Sequence, residues 1–161
     1  MNIIAAIDKN NGIGLKGQLL EYIREDIATF KSITTNNVVV MGRKTFESIG
    51  CKPLKNRINI ILTSDTNYKV ENALVAHSFD ELMIMLNNFK SDSIYIIGGA
   101  KVYELMFEFC DRLCITHIEK EYESDTKFPK IDMYKWKVTY ESRKLKSESG
   151  TEYYYRIYSK L

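Results

Sequence analysis

The chain has 161 residues, 45% of them hydrophobic, and a formal net charge of +2. That length suits a single domain, residues 1–161, with a sizeable core, and the apolar content excludes a disordered chain. So small a charge, with basic residues scattered and not interleaved with aromatics, gives no sign of a nucleic-acid partner.

Asn2–Ile7 is apolar throughout and reads as a buried central strand. Met1–Asp8 carries no basic leader, and neither its apolar run nor any later one approaches membrane-spanning length. A cytoplasmic protein with no membrane partner is therefore expected, and a monomer is the separate expectation for its assembly. Asp8–Gly14 is turn chemistry, and an irregular segment continues to about Leu20. Gly12, Gly14 and Gly17 would let that backbone approach a ligand closely, or equally make a plain loop.

Tyr22–Ile33 reads as a helix, with Ile23, Ile27, Phe30 and Ile33 on one apolar face. Asp26 falls on the same face, where a carboxylate is costly unless something pairs with it. It either supports the first helical turn or receives a cationic or amidine-like ligand.

Val38 to Gly50 follows: an apolar β-branched run, then Gly42, then Arg43-Lys44-Thr45. A buried strand, a tight turn and a helix start with added positive charge make a candidate phosphate seat at the carboxyl edge of a parallel sheet. The same pattern also fits a plain strand-turn-helix with solvated basic residues. Cys51–Arg57 is a turn-rich connection with three cations, and Ile58–Leu62 is a further buried strand ending at Thr63-Ser64-Asp65. Neighbouring strands that end in hydroxyl or basic residues suggest one shared binding rim.

After a short strand at Leu74–Ala76, Ser78-Phe79-Asp80-Glu81 has capping-box form and opens a helix to about Phe89. Ile94–Ile97 is another strand, and Gly98-Gly99-Ala100 leads into a helix over Lys101–Phe109, a candidate diphosphate cradle. The full spaced-glycine dinucleotide fingerprint is missing. Strand character returns at Leu113–Ile118, before a charged loop from Glu119 to Lys127. Trp136–Ser142 and Tyr153–Lys160 read as an antiparallel hairpin on the sheet edge, around a turn at Lys146–Gly150. The tyrosines at 153, 154, 155 and 158 are β-former composition. Three cysteines, an odd number, argue against a disulfide framework. A zinc set of Cys110, Cys114 and His117 fails, since Cys114 and His117 point to opposite faces of a strand and no fourth ligand follows; no metal is expected.

In order along the chain stand Ile4-Ala5-Ala6, Gly12-Ile13-Gly14, Asp26 with Phe30-Lys31, Met41 to Gly50, Pro53-Leu54 to Arg57, Ile97-Gly98-Gly99 with Tyr103, and Leu113 through Thr116-His117 to Asp125-Thr126 and Phe128-Pro129. This ordered set, covering nearly the whole chain, resembles the dihydrofolate reductase family. The resemblance implies an α/β fold: an eight-stranded, mostly parallel central sheet with flanking helices and an antiparallel carboxyl-terminal strand. It implies NADPH-dependent reduction of 7,8-dihydrofolate to 5,6,7,8-tetrahydrofolate, with hydride passing to pterin C6 while N5 takes a proton.

On that resemblance Asp26 and Thr116 are the catalytic pair, the acid binding the amidine-like edge of the pterin. Ile4, Ala5, Phe30, Lys31, Ile49, Lys52, Leu54, Ile97 and Tyr103 belong to the substrate site, and Arg57 would grip the carboxylate of the glutamate tail. Ala6 with Ile13, Gly14, Leu15, Lys16, Gly17 and Gln18 would lie along the nicotinamide and its ribose. Gly42, Arg43, Lys44, Thr45, Thr63 and Ser64 would hold phosphates, including the 2′-phosphate that separates NADPH from NADH. Gly98, Gly99, Ala100, Lys101, Val102 and Tyr103 would carry the diphosphate. His77 stands either near the adenosine or simply at the surface.

The chain departs from the family where Leu20-Glu21 replaces the usual Pro-Trp. Glu21 would either bring a second carboxylate toward Asp26, raising one pKa, or turn to solvent. Ser124, where a loop glycine is common, is expected to alter the motion of the Gly12–Leu20 loop. Two alternatives stay open: a pyrimidine reductase of riboflavin synthesis, and a folate- and NADPH-binding protein of low activity.

Overall fold

Alternating apolar runs and helices build one mixed sheet in the computed structural model, which describes residues 1–161. The first half contributes β1 (Asn2–Ile7), β2 (Gly12–Gly14), α1 (Arg24–Thr34), β3 (Val38–Gly42), α2 (Arg43–Ser48), β4 (Ile58–Leu62) and β5 (Leu74–Ala76). The second contributes α3 (Phe79–Leu86), β6 (Ile94–Gly98), α4 (Ala100–Met106), β7 (Arg112–Ile118), β8 (Thr126–Lys127), β9 (Trp136–Glu141), β10 (Leu145–Lys146) and β11 (Glu152–Lys160). Strand order is β10-β11-β7-β1-β6-β3-β4-β5, parallel from β7 to β5, with β11 antiparallel to β7. β9 pairs with β11 on the same side as β10, farther along, so nine strands fill eight positions. No helix is long and apolar enough to cross a membrane.

β5 forms one edge of the sheet, and the carboxyl-terminal antiparallel hairpin lies on the other as expected, with β9 and β10 outermost and β11 joining them to β7 from Tyr153 to Ser159. Its tyrosines alternate between two faces of β11, which is paired on both sides. One expectation needs correcting: the glycine-rich stretch is not irregular, because Gly12–Gly14 pairs antiparallel with Thr126–Lys127. Beyond it Leu15 and Gln18 exchange backbone hydrogen bonds, with Lys16 (φ 49°) and Gly17 (φ 76°) at the tip. Positive φ at both central residues is what a two-residue hairpin turn of the primed kind requires. Helix α1 begins at Arg24, two residues later than expected, because Ile23 stays extended and packs with Ile118 and Tyr153.

The strands' alternation sorts side chains onto two faces. One face carries Ile3, Ile7, Val38, Val40, Ile60, Ile94, Ile96 and Ile115 against α3, α4, Phe128 and Trp136, a continuous core of 20 buried residues. The other closes into two separate groups: Val39, Met41, Phe46 and Ile61, and Ile23, Ile118 and Tyr153. Between them Ile4, Ala6, Ile97 and Cys114 lie only half-buried in the middle of the sheet. Apolar side chains left half-covered on central strands line a groove.

Candidate active site

Register delivers the polar group to this groove. Ala6 on β1, Thr116 on β7 and Tyr155 on β11 stand in one row across the sheet. Helix α1 lays Asp26, in its first turn, over that row, and the Thr116 hydroxyl donates to Asp26 Oδ1 at 2.6 Å. Burial pushes the Asp26 carboxyl above its ordinary value, and the Thr116 hydrogen bond offsets this only in part. No charged neighbour contributes to the shift, so the acid sits in apolar company with one hydroxyl for support. Phe30 follows one turn on, half-buried on the same helix.

The other residues expected on the substrate side differ in their surroundings. Ile49 caps α2 and is 40% exposed, Lys31 and Lys52 are exposed, and Leu54 packs on the group around Met41 and Phe46. The Arg57 guanidinium is braced, Nε donating to the Lys55 carbonyl at 2.9 Å and one terminal nitrogen to Thr34 Oγ1 at 3.0 Å. Thr34 is itself buried and donates to the Phe30 carbonyl, so Arg57 is oriented by the helix that carries the acid. Tyr103 is buried and donates its hydroxyl to the Ile4 carbonyl at 2.8 Å, a committed bond inside the protein.

Gly42 and Gly98 close the adjacent parallel strands β3 and β6. A Cβ at Gly42 would stand 3.2 Å from Val102, at Gly98 (φ 118°) 3.1 Å from Tyr103, and at Gly99 3.2 Å from Thr45 Oγ1. Only glycine keeps this turn open, which leaves bare backbone beside the Thr45 hydroxyl. Around it, Lys44, Ser64 and Lys101 are exposed, Ala100 is half-buried and Val102 is buried. Arg43 is tied to Glu47 at 2.8 Å on its own helix, and Thr63, nearly buried, accepts the Asp65 amide through its hydroxyl. Lys44 and Ser64 are therefore the freer polar side chains among these residues.

The hairpin Gly12–Gln18 is fixed from the opposite side. The Asp125 amide donates to the Gly14 carbonyl, and the Lys16 amide donates to Asp125 Oδ2 at 2.9 Å. Ser124 packs against Gly12, whose Cβ would come within 2.7 Å of Ser124 Oγ. Ile13 and Leu15 are half-buried, whereas Lys16, Gly17 and Gln18 are exposed at the tip. His77 is half-buried with its backbone amide on Glu81, and its Nδ1 has no partner.

Glu21 corrects both readings of it. It neither reaches Asp26 nor faces open solvent: its carboxylate accepts from the hydroxyls of Ser149 (2.5 Å), Thr151 (3.0 Å) and Tyr122. Burial works to raise its pKa, but those three donors outweigh it and hold the carboxyl below the ordinary value. Tyr155 reads from the sequence as strand composition, yet register puts it beside Thr116, with its hydroxyl 3.5 Å from Thr29 Oγ1. Burial, with the Asp26 charge as a smaller cause, pushes the Tyr155 phenol up to about 12. Alternation along two long-separated strands was the available signal, and only knowledge of their register could use it. No cluster of three or more His, Cys, Asp or Glu side chains gathers anywhere.

A weakly supported acid over an apolar groove, in a sheet that also carries a glycine-lined turn between parallel strands, is the arrangement of an α/β enzyme that acts on a small molecule. The family model described as "Dihydrofolate reductase" matches residues 1–160. Dihydrofolate reductase of Bacillus subtilis (strain 168) is 35% identical over 161 residues, covering 99% of this chain and 94% of its own. That of Staphylococcus aureus (strain Mu50) is 38% identical over 138 residues, 86% of this chain and 83% of its own. The solved Enterococcus faecalis dihydrofolate reductase, complexed with NADP(H) and RAB-propyl, superposes with a TM-score of 0.89 at 34% identity, covering 99% and 95% of the two chains. The chain belongs to the dihydrofolate reductase family.

Proposed function

We propose that the groove on the α1 face binds 7,8-dihydrofolate, and that this enzyme reduces it to 5,6,7,8-tetrahydrofolate with NADPH. The observation that carries the reading is the Thr116–Asp26 bond, which places an inward carboxylate where an amidine-like edge can meet it. Asp26 and Thr116 orient the pterin and favour the protonated form at N5, because an acid raised by burial sits nearer the working pH. Ile4, Phe30, Ile49, Leu54 and Ile97 exclude water from the ring, Ala5 turns its side chain to the opposite, core face and offers the ring only backbone, and Arg57, braced on Thr34, takes the tail carboxylate with its free donors while Lys31 and Lys52 flank it.

NADPH fits the neighbouring rim, since the glycine turn at Gly98-Gly99 is a cradle that a Cβ would fill. When bound, its nicotinamide supplies the hydride for pterin C6. Gly98, Gly99, Ala100 and Thr45, with the start of α4 through Lys101 and Val102, hold the diphosphate, and Tyr103, its amide on the Gly99 carbonyl and its hydroxyl on the Ile4 carbonyl, supports the turn from within. Lys44 and Ser64, with Gly42, Arg43 and Thr63 behind them, take the 2′-phosphate. Ala6 and the hairpin Ile13–Gln18 lie along the nicotinamide ribose. We read residues 1–161 as one domain, working as a cytoplasmic monomer, which sedimentation would test directly.

NADPH absorbance in the presence of dihydrofolate, then of a deaminated riboflavin precursor, tests the assignment. Loss of signal with dihydrofolate alone is expected. Loss with the pyrimidine alone would move the protein to riboflavin synthesis, and folate binding without any loss would leave a binding protein. The family match favours neither alternative.

A further inference from the structure

Glu21 stands five residues before the acid, and its hydrogen bonds come from two segments far away in sequence. Ser149 and Thr151 belong to the turn between β10 and β11, and Tyr122 belongs to the loop after β7. Both partners are themselves held. The Tyr122 amide donates to Asp8 Oδ2 at 2.9 Å, so one residue is gripped by carboxylates at its backbone and at its phenol. Ser147 Oγ lies 2.9 Å from Ser149 Oγ and accepts the Thr151 amide at 3.1 Å, which knits the turn. The flanking chain is otherwise loose, with Leu19 and Tyr22 exposed by 60% and 70%. Directly after Tyr22, Ile23 is buried, α1 starts at Arg24, and Asp26 follows in its first turn.

We propose that Glu21 is a positioning residue for Asp26. Its carboxylate clasps Tyr122, Ser149 and Thr151, which fixes the entry into α1 and keeps a second negative charge outside the substrate groove. The inference rests on the reading of Asp26 as the groove's acid. Other titratable or charged groups surround both carboxylates. Lys120 and Tyr122 face Glu21 from the loop after β7, and Arg24 and Glu148 pair beside the turn. Tyr153 and Tyr155 face Asp26 from β11, and Glu25 neighbours it on α1. Neither Glu25 nor Glu21, the two carboxylates that most closely precede Asp26 in sequence, contributes to its shift.

Three variants separate clasp from charge. Glu21→Gln keeps an acceptor for Ser149 and Thr151, and its amide can donate to the Tyr122 oxygen. Glu21→Ala loses both clasp and charge. Tyr122→Phe with Ser149→Ala and Thr151→Val keeps the charge but frees it from all three donors. The readouts are kcat/KM for dihydrofolate against pH, and NADPH affinity by fluorescence titration. Glu21→Gln should stay within about twofold of the parent with the same pH profile, whereas Glu21→Ala should lose roughly tenfold in kcat/KM with NADPH affinity unmoved. The triple variant should shift the acid's apparent pKa upward, as a freed like charge disfavours ionisation. A parental value for Glu21→Ala, an equal loss in Glu21→Gln, or an unshifted profile in the triple variant would overturn the proposal. If the parent itself does not turn over dihydrofolate, the activity reading fails instead; the clasp is then judged by NMR titration of the Asp26 carboxyl in the same variants.

Discussion

The two faces of the central sheet are built from the same strands and end in opposite conditions. On the α3–α4 side, every inward chain from β4 to β7 joins one continuous core. On the α1 side the buried groups stop short of each other, and Ile4, Ala6 and Ile97 between them remain half-covered. Alternation makes this division possible, since substitutions at odd and even positions of one strand act on different sides. One face therefore supplies folding stability, and the other holds an apolar surface and an unfavourably placed acid ready for a ligand.

The sharpest break in that comparison is at the acid. Asp26→Asn is expected to lower turnover by about 10²- to 10⁴-fold near neutral pH, with NADPH affinity within about twofold of the parent; steady-state rates and fluorescence titration check both. Near-parental turnover would remove Asp26 from the chemistry. Next come paired truncations on the two faces. Leu82→Ala, in the continuous core, should cost roughly 2–5 kcal/mol in urea unfolding while the folded fraction keeps its kcat/KM. Phe30→Ala, in the groove, should cost less stability and raise the KM for dihydrofolate about tenfold or more. If the two exchanged signatures, the division between faces would be wrong.

Smaller effects lie at the rim. Arg57→Lys should raise the KM for dihydrofolate roughly tenfold and leave NADPH unaffected, because a lysine cannot reproduce two parallel hydrogen bonds. Lys44→Gln should weaken NADPH about fivefold more than NADH, a difference read by competitive titration. Equal weakening of both would count against a 2′-phosphate contact.

Much of this was legible locally. Val38–Gly42 and Ile94–Gly98 announced buried parallel strands, and Asp26 stood out because a carboxylate on an apolar helical face needs a partner. That partner, Thr116, is 90 residues away and came only with the family resemblance. The strand at Gly12–Gly14 was read as loop because its pairing residues, Thr126 and Lys127, lie more than a hundred positions downstream. Glu21 escapes a local reading for a similar reason: its donors at 122, 149 and 151 carry no local mark in the sequence. Tyr155 looked like strand composition until register set it beside Thr116. Local pattern determines which residues face inward; register and loop packing determine whom they meet.

The central claim is that the α1 face holds its acid against stability and for function. A carboxyl whose pKa is raised on folding keeps its full contribution to stability below the unfolded value, and loses it as pH rises through the folded one. The most direct measurement is therefore urea unfolding of ligand-free parent and Asp26→Asn from about pH 4 to about pH 7. Asp26→Asn should gain stability relative to the parent as pH rises across that window, while the same preparation shows the loss of turnover. A constant difference across the window, or one that moves against Asp26→Asn as pH rises, would contradict the account.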